Sequence, residues 1–364
     1  VPGFGKNKQR RRKIGAALLL RASVIVTKTT CAADGVEEYP DTMNAVLPNT
    51  DASAQLAASV VLVVHNQARR LPVLLHHLEY QEFPTADLEV IVVDDGGSDH
   101  AAAWLARYTQ GSPIRLRTLR SPVRRGLGAA RNFGAASAQG HCLIFLDVDL
   151  IPPAGFVAAH VAAHGRSTGL SCVLGPVTLH PKIHKHTFTA WFLPEEMRAL
   201  REDAEESLSF LDCLGCNFSV THDTLTRMGG FRDDLKADPA SAAELAWRIL
   251  AAGGTLKRCT DADAHIWHPA ELREELRKAF EKGRSLYQLY TLTHDPRVLR
   301  RYGLHKRGWR RLVEGLTHPY YVRLCEQVLA THSVRVHSYR RVLRHEIYRG
   351  FQWARRRSPA RVKA

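Results

Sequence analysis

Between Ser59 and Leu146 the sequence repeats one alternation, a short apolar run followed by a polar turn and then a helix-length stretch. "SVVLVV" (Ser59–Val64) precedes "LPVLLHHLEY", "LEVIVV" (Leu88–Val93) precedes "GGSDHAAAWLARY", and "IRLRTL" (Ile114–Leu119) precedes "GAARNFGAASAQ", before "CLIFL" closes the series. Apolar runs without period-two alternation belong to strands covered on both faces, and strands separated by helices pair in parallel. The pattern predicts an α/β fold with a mostly parallel sheet flanked by helices.

In such sheets ligands bind beyond the carboxyl ends of the strands. The polar residues at those ends are His65, Asn66, Asp94, Asp95, Asp147 and Asp149, which therefore converge on one rim. On an extended strand Asp147 and Asp149 face the same side, with Cα atoms roughly 6 to 7 Å apart. Two carboxylates that close repel unless a cation, a proton or donors intervene. Oxygen-only ligands suit Mg²⁺ or Mn²⁺, and such an ion could neutralise a nucleoside-diphosphate leaving group. Alone, "DVD" more often marks a strand-end turn with solvated acids; its neighbours decide.

Taken in order, "SVVLVVHNQARRLPVLLHHLEYQ", "LEVIVVDDGGSD" and "RRGLGAARNFGAASAQGHCLIFLDVDLIPP" resemble the nucleotide-sugar-binding half of family 2-type glycosyltransferases, whose GT-A fold is Rossmann-like. The resemblance continues, more weakly, through "CLGCNFSVTHDTLTRMGGF". It implies transfer of a sugar from a nucleotide-diphosphate donor, a uridine one first, to an acceptor with inversion. It also implies that Asp94 or Asp95 hydrogen-bonds the base or ribose, with His65 and Asn66 lining the same pocket. Arg131 would neutralise the diphosphate or brace the nearby acids, Asp147 would face the ribose or a metal-bound water, and Asp149 would bind Mn²⁺ or Mg²⁺ directly. A third metal ligand is expected from "DADAHIWHP", His265 before His268, and Asn217 is expected on the acceptor side. "GLGAARN" is no dinucleotide fingerprint, because Arg131 stands where the third glycine would be and the segment follows the wrong strand.

One expected feature is missing. Similar enzymes carry an acidic pair before a helix of the type E-L-x-x-R-L, and its aspartate serves as general base. Here Glu244, Leu245, Arg248 and Ile249 match the helix, but Ser241 and Ala242 occupy the acidic positions. Asp238 or Glu244 could serve instead, Asp238 being preferred; otherwise the acceptor needs no strong base or transfer activity has been lost. General-base help contributes about 10²- to 10⁴-fold, so its loss would slow a hydroxyl acceptor and leave donor binding intact.

Three regions follow. Residues 1–57 form a basic leader, expected to be disordered or an over-extended start. Residues 58–268 form the GT-A domain, with a nucleotide-sugar half (58–153) and an acceptor half (154–268). Residues 269–364 form a basic helical C-terminal extension. A charged helix or loop is expected over Glu195–Leu208. With 364 residues, 45% of them hydrophobic, the chain can bury a sizeable core. Seven scattered cysteines fit a reducing, cytoplasmic setting rather than a disulfide framework. "CLGC" lacks two further ligands for zinc, so Cys213 and Cys216 read as packing residues. The net charge of +15 and the basic ends suit acidic partners, such as a peripheral contact at an anionic inner membrane face. No recognisable nucleic-acid motif accompanies the basic runs, which argues against nucleic acid. The sequence leaves open whether the acceptor is a glycan, a lipid-linked group, a small molecule or a peptide. The contrasting reading is a catalytically degenerate GT-A scaffold that binds nucleic acid or anionic membrane.

Overall fold

The computed structural model describes residues 37–38, 56–165, 169–183, 208–213, 215–235, 240–305, 315–316, 318–326 and 336–358. The strands are β1 (Glu37–Glu38), β2 (Leu56–Val64), β3 (Leu88–Asp95), β4 (Arg115–Ser121), β5 (Gly140–Leu146), β6 (Leu150–Ile151), β7 (Ser171–Leu174), β8 (Val177–Leu179), β9 (Asn217–Thr221), β10 (Thr255–Arg258) and β11 (Ala264–Ile266). The helices are α1 (Leu71–Glu79), α2 (Ala101–Thr109), α3 (Leu127–Ser137), α4 (Phe156–Gly165), α5 (His222–Arg227), α6 (Ala240–Ala251), α7 (Leu272–Thr293), α8 (Pro296–Arg301) and α9 (Val336–Arg357).

Eight strands form one sheet in the order β1-β4-β3-β2-β5-β9-β7-β10. All neighbours are parallel except β9, which runs antiparallel to both β5 and β7. The sheet is the mostly parallel one that the apolar runs predict, and every residue of β3 is buried. On one face Leu71, Leu74, Leu75 and Leu78 of α1 pack with Leu105 of α2 and Phe156 of α4. On the other, Phe133 of α3, Leu245 and Ile249 of α6, Leu286 and Leu289 of α7, and Ile347 and Phe351 of α9 share one core. The C-terminal helices are therefore continuous with the core of the α/β domain. Part of the basic leader joins the sheet as well, because β1 pairs parallel with Leu119 and Arg120 at its edge. The charged segment expected over 195–208 lies, except for Leu208, outside the described residues.

A second sheet, β6-β11-β8, sits beside the end of β5 and pairs His265 with Ile151. This register places "HIWHP" next to the Asp147–Asp149 turn.

Strand β9 is fixed by a chain of hydrogen bonds whose direction can be worked out. Asn217 Nδ2 donates to the Pro176 and Ala262 carbonyls at 3.1 and 2.8 Å, so Asn217 Oδ1 accepts from His160 Nε2 at 3.0 Å. His160 Nδ1 then accepts from Ser219 Oγ at 2.8 Å, and Ser219 Oγ accepts from His164 Nε2 at 2.9 Å. Each imidazole is thus neutral with a defined tautomer. Burial pushes the two pKa values below the usual 6.5, to about 3 for His160 and about 4 for His164.

Helices α7 and α9 cross at two glycines. A Cβ on Gly283 would lie 2.0 Å from Ile347 O, and one on Gly350 would lie 1.9 Å from Phe280 O. Both obstacles are backbone, which cannot swing aside. Alanine gains about 1 kcal/mol over glycine in helix propensity, but overpacking a close contact costs about 1 to 3 kcal/mol, so the steric effect wins. Gly350→Ala is expected to lower the urea midpoint, whereas Gly111→Ala, with open space around its Cβ, leaves it nearly unchanged.

The histidine chain gives a pH prediction. Because both folded-state pKa values are depressed, the unfolded chain takes up protons first as pH falls. The stabilisation is complete above about pH 6.5 and declines toward pH 4, at about 1.4 kcal/mol per pH unit for each histidine. His160→Gln is expected to reduce the slope of stability between pH 6 and 5 by about that amount. Equal slopes in urea titrations of both proteins would refute the assignment.

Candidate functional site

The rim begins where β2 and β3 end. Asp94 and Asp95 are both buried, and their neighbours distinguish them. Asp95 accepts from the backbone N–H of Arg125 at 2.7 Å and of Gly126 at 2.9 Å, one bond to each oxygen, and so anchors the loop that leads into α3. Asp94 accepts from Gly97 N at 2.8 Å and has Arg120 at 4.0 Å. Burial raises the Asp94 pKa, against the lowering influence of Gly97 and Arg120. The turn that follows Asp95 needs glycine: Gly96 has φ +68°, and a Cβ there would lie 2.4 Å from Arg124 N. Asn66, also left-handed at φ 56°, accepts from the N–H of Ser98 at 2.7 Å and of Asp99 at 3.2 Å. His65 Nδ1 bonds the Asp95 carbonyl at 2.9 Å. His65, Asn66, Asp94 and Asp95 thus form one shelf.

Beside it lies the end of β5. Asp147 Oδ1 accepts from Asp149 N at 3.2 Å, which curls the turn so that both carboxylates stay at the rim. Asp149 is ringed by basic groups from three other segments. Arg70, just before α1, pairs with Asp149 Oδ1; His268 Nε2 lies 3.5 Å from the same oxygen; Lys278 Nζ of α7 lies 3.5 Å from Oδ2. Lys278 also pairs with Glu274 at 3.2 Å and Glu275 at 3.1 Å, and Glu274 lies 3.8 Å from Arg70. Burial would lower the Lys278 pKa, but Glu275, Glu274 and Asp147 outweigh it and the net shift is upward. Burial depresses His268, and Arg70 and Lys278 depress it further, so its imidazole is neutral near pH 7. Arg70, Glu274, Glu275 and Lys278 carry no local sequence signal for this site; only the placement of α7 brings them together.

The remaining sequence candidates lie elsewhere. Arg131 is buried, donates to the Gly215 carbonyl and to Ser241 Oγ, and lies 5.3 to 5.9 Å from the ring centroids of Phe145, Phe218 and Phe231. Asn217 has its amide committed to the histidine chain and two carbonyls. Glu244 is clamped by Arg248 at 2.8 to 3.0 Å, and Arg248 also holds the Gly230 carbonyl. His265 Nδ1 faces Thr178 Oγ1 at 2.7 Å and its Nε2 faces Asp263 at 3.6 Å, so of the two histidines in "HIWHP" it is His268 that meets Asp149. Ser241 and Ala242, at the positions of the missing acidic pair, are fully buried. Asp238 lies outside the described residues. Cys213 is buried in one core, Cys216 packs against the other, and both are free thiols. Among the described residues no group of three or more His, Cys, Asp or Glu is arranged to hold a metal, and no helix is long and apolar enough to cross a membrane.

The same architecture occurs in known proteins. Residues 59–225 match the family model described as Glycosyl transferase family 2. Validoxylamine A glucosyltransferase from Streptomyces hygroscopicus subsp. jinggangensis is 27% identical over 218 residues, covering 54% of this chain and 51% of that protein. The match therefore spans about half the length of that relative. Glycosyltransferase AglE from Haloferax volcanii is 27% identical over 250 residues, covering 64% of this chain and 74% of its own. Among solved structures, a mannosyltransferase from Pyrobaculum calidifontis in complex with GDP-Man and Mn²⁺ superposes with a TM-score of 0.54 at 15% identity, over 96% of this chain and 95% of that one, a likeness of fold. Residues 59–225 are thus similar to glycosyl transferase family 2, and the chain has the GT-A fold.

Proposed function

We propose that the protein transfers a sugar from a nucleoside-diphosphate donor, first of all a uridine one, to an acceptor, with a divalent ion held by Asp149 and His268. One observation carries the metal reading. His268 Nδ1 faces the Pro269 carbonyl at 3.2 Å and so bears the ring proton, which leaves an unprotonated Nε2 3.5 Å from Asp149 Oδ1. That Nε2 is buried and has no hydrogen-bond partner. An imidazole with a carboxylate is a donor set that Mn²⁺ accepts, and an ion there would take the place that Arg70 holds at the same oxygen. The charge balance agrees. Asp147, Asp149, Glu274 and Glu275 against Arg70 and Lys278 leave a formal −2.

When bound, such an ion supplies Lewis-acid stabilisation of the departing diphosphate. The chain's own residues do the rest. Asp94 offers one carboxylate oxygen toward the shelf, where a base N–H or ribose hydroxyl could donate to it. Asp95 holds the loop into α3 in place, which is a positioning role. Attack from the opposite side inverts the anomeric carbon, and Asp238, two residues before α6, is the general base we assign. Glu244 has both oxygens committed to Arg248, so a proton taken there would break that clamp. The acceptor is a hydroxyl-bearing glycan, lipid-linked group, small molecule or peptide, and we assign the reaction to the cytoplasmic side.

In isothermal titrations with UDP, His268→Ala is expected to weaken Mn²⁺-dependent binding by at least about tenfold, as loss of a metal ligand does. His265→Ala should leave it within about twofold. Mn²⁺ dependence that survives in His268→Ala and disappears in His265→Ala would exchange the two assignments. Asp238→Asn is expected to reduce turnover by about 10² or more without changing UDP affinity; an unchanged rate would remove Asp238 from the base role.

A further inference from the structure

Lys278 stands apart from the rest of the site. It comes from α7, outside the stretch matched by the family model, yet its ammonium lies 3.5 Å from Asp149. Its partners are all carboxylates: Asp149, Glu274 and Glu275 in contact, with Asp147 acting through space. Of the two cations at Asp149, Lys278 is the freer, its side chain being 40% exposed against 21% for Arg70. An ammonium on a flexible stem is a point charge that can change partners without a fixed fork geometry.

A divalent ion on Asp149 and His268 would take over much of the Asp149 charge. Lys278 would then lie beside a neutralised carboxylate, within a side chain's reach of whatever anion the ion also binds. We infer that Lys278 binds the diphosphate of the donor, touching the phosphate nearer the sugar and sharing its negative charge as the sugar departs. This rests on the donor reading above and adds a residue that discriminates nucleoside diphosphates from monophosphates. Its bonds to Glu274 and Glu275, about one turn away on the same helix, keep the ammonium over the rim when no donor is bound.

The test is isothermal titration of the full chain with UDP and UMP, and with GDP and GMP, in the presence of Mn²⁺. Wild type is compared with Lys278→Met and Lys278→Arg, using the nucleotide pair that wild type binds more tightly. Removing one charge-assisted hydrogen bond should weaken diphosphate binding about 10- to 100-fold in Lys278→Met, with monophosphate binding within about twofold. Lys278→Arg should recover most of that affinity, since it keeps the charge. Titration with Mn²⁺ alone should show unchanged or tighter binding to Lys278→Met, because a competing cation has gone. Equal weakening of diphosphate and monophosphate would make Lys278 a brace for α7 and overturn the inference, as would diphosphate affinity unchanged in Lys278→Met. If wild type binds none of the four nucleotides, the donor reading itself fails and this assignment falls with it.

Discussion

A strand buried on both faces can carry polar chemistry only at its end, and most of this protein follows from that constraint. Strands β2, β3 and β5 spend their length inside two hydrophobic cores. The polar residues at their carboxyl ends therefore meet at one rim, although Asn66, Asp94 and Asp149 are distant in sequence. Each emerging carboxylate must then find donors or cations. Asp95 meets two backbone N–H groups, Asp94 one, and Asp149 three basic side chains. These different partners give three similar acids different work.

The parallel strands, their order along the chain and the rim were legible in the sequence, because apolar runs and helix spacing are local signals. The antiparallel β9 was not: "NFSVT" is too short to declare itself, and its position between β5 and β7 depends on pairing across many residues. The division between His265 and His268 was equally hidden. Both belong to one short segment, and which one meets Asp149 depends on how β11 pairs with β6 and β8. Arg70, Glu274 and Lys278 could not be found by spacing at all, since their meeting is a property of packed helices. In the other direction, Arg131 and Glu244 matched the family pattern, but a pattern does not say whether a charge faces outward to a ligand or inward to a carbonyl.

Inward is where both are used. Arg131 ties the start of α6 to the Gly215 turn, and Glu244 with Arg248 ties α6 to the Gly230 turn. Small buried residues, Ser241 and Ala242, fill the space in between. A carboxylate at position 241 would be buried but would meet the Arg131 guanidinium that here donates to Ser241 Oγ, so burial alone does not account for the serine.

The glycine crossing between α7 and α9 bears on the rim in a way its location does not suggest. Gly283 lies five residues beyond Lys278, about 7.5 Å along the helix axis at 1.5 Å per residue. With backbone against backbone at that point, α7 can neither slide nor roll by a fraction of a turn without collision. The crossing acts as a pivot with little play, and the ammonium stands on the short arm. The placement of one cation at the rim is thereby set by α9, a helix that carries none of the rim residues named above.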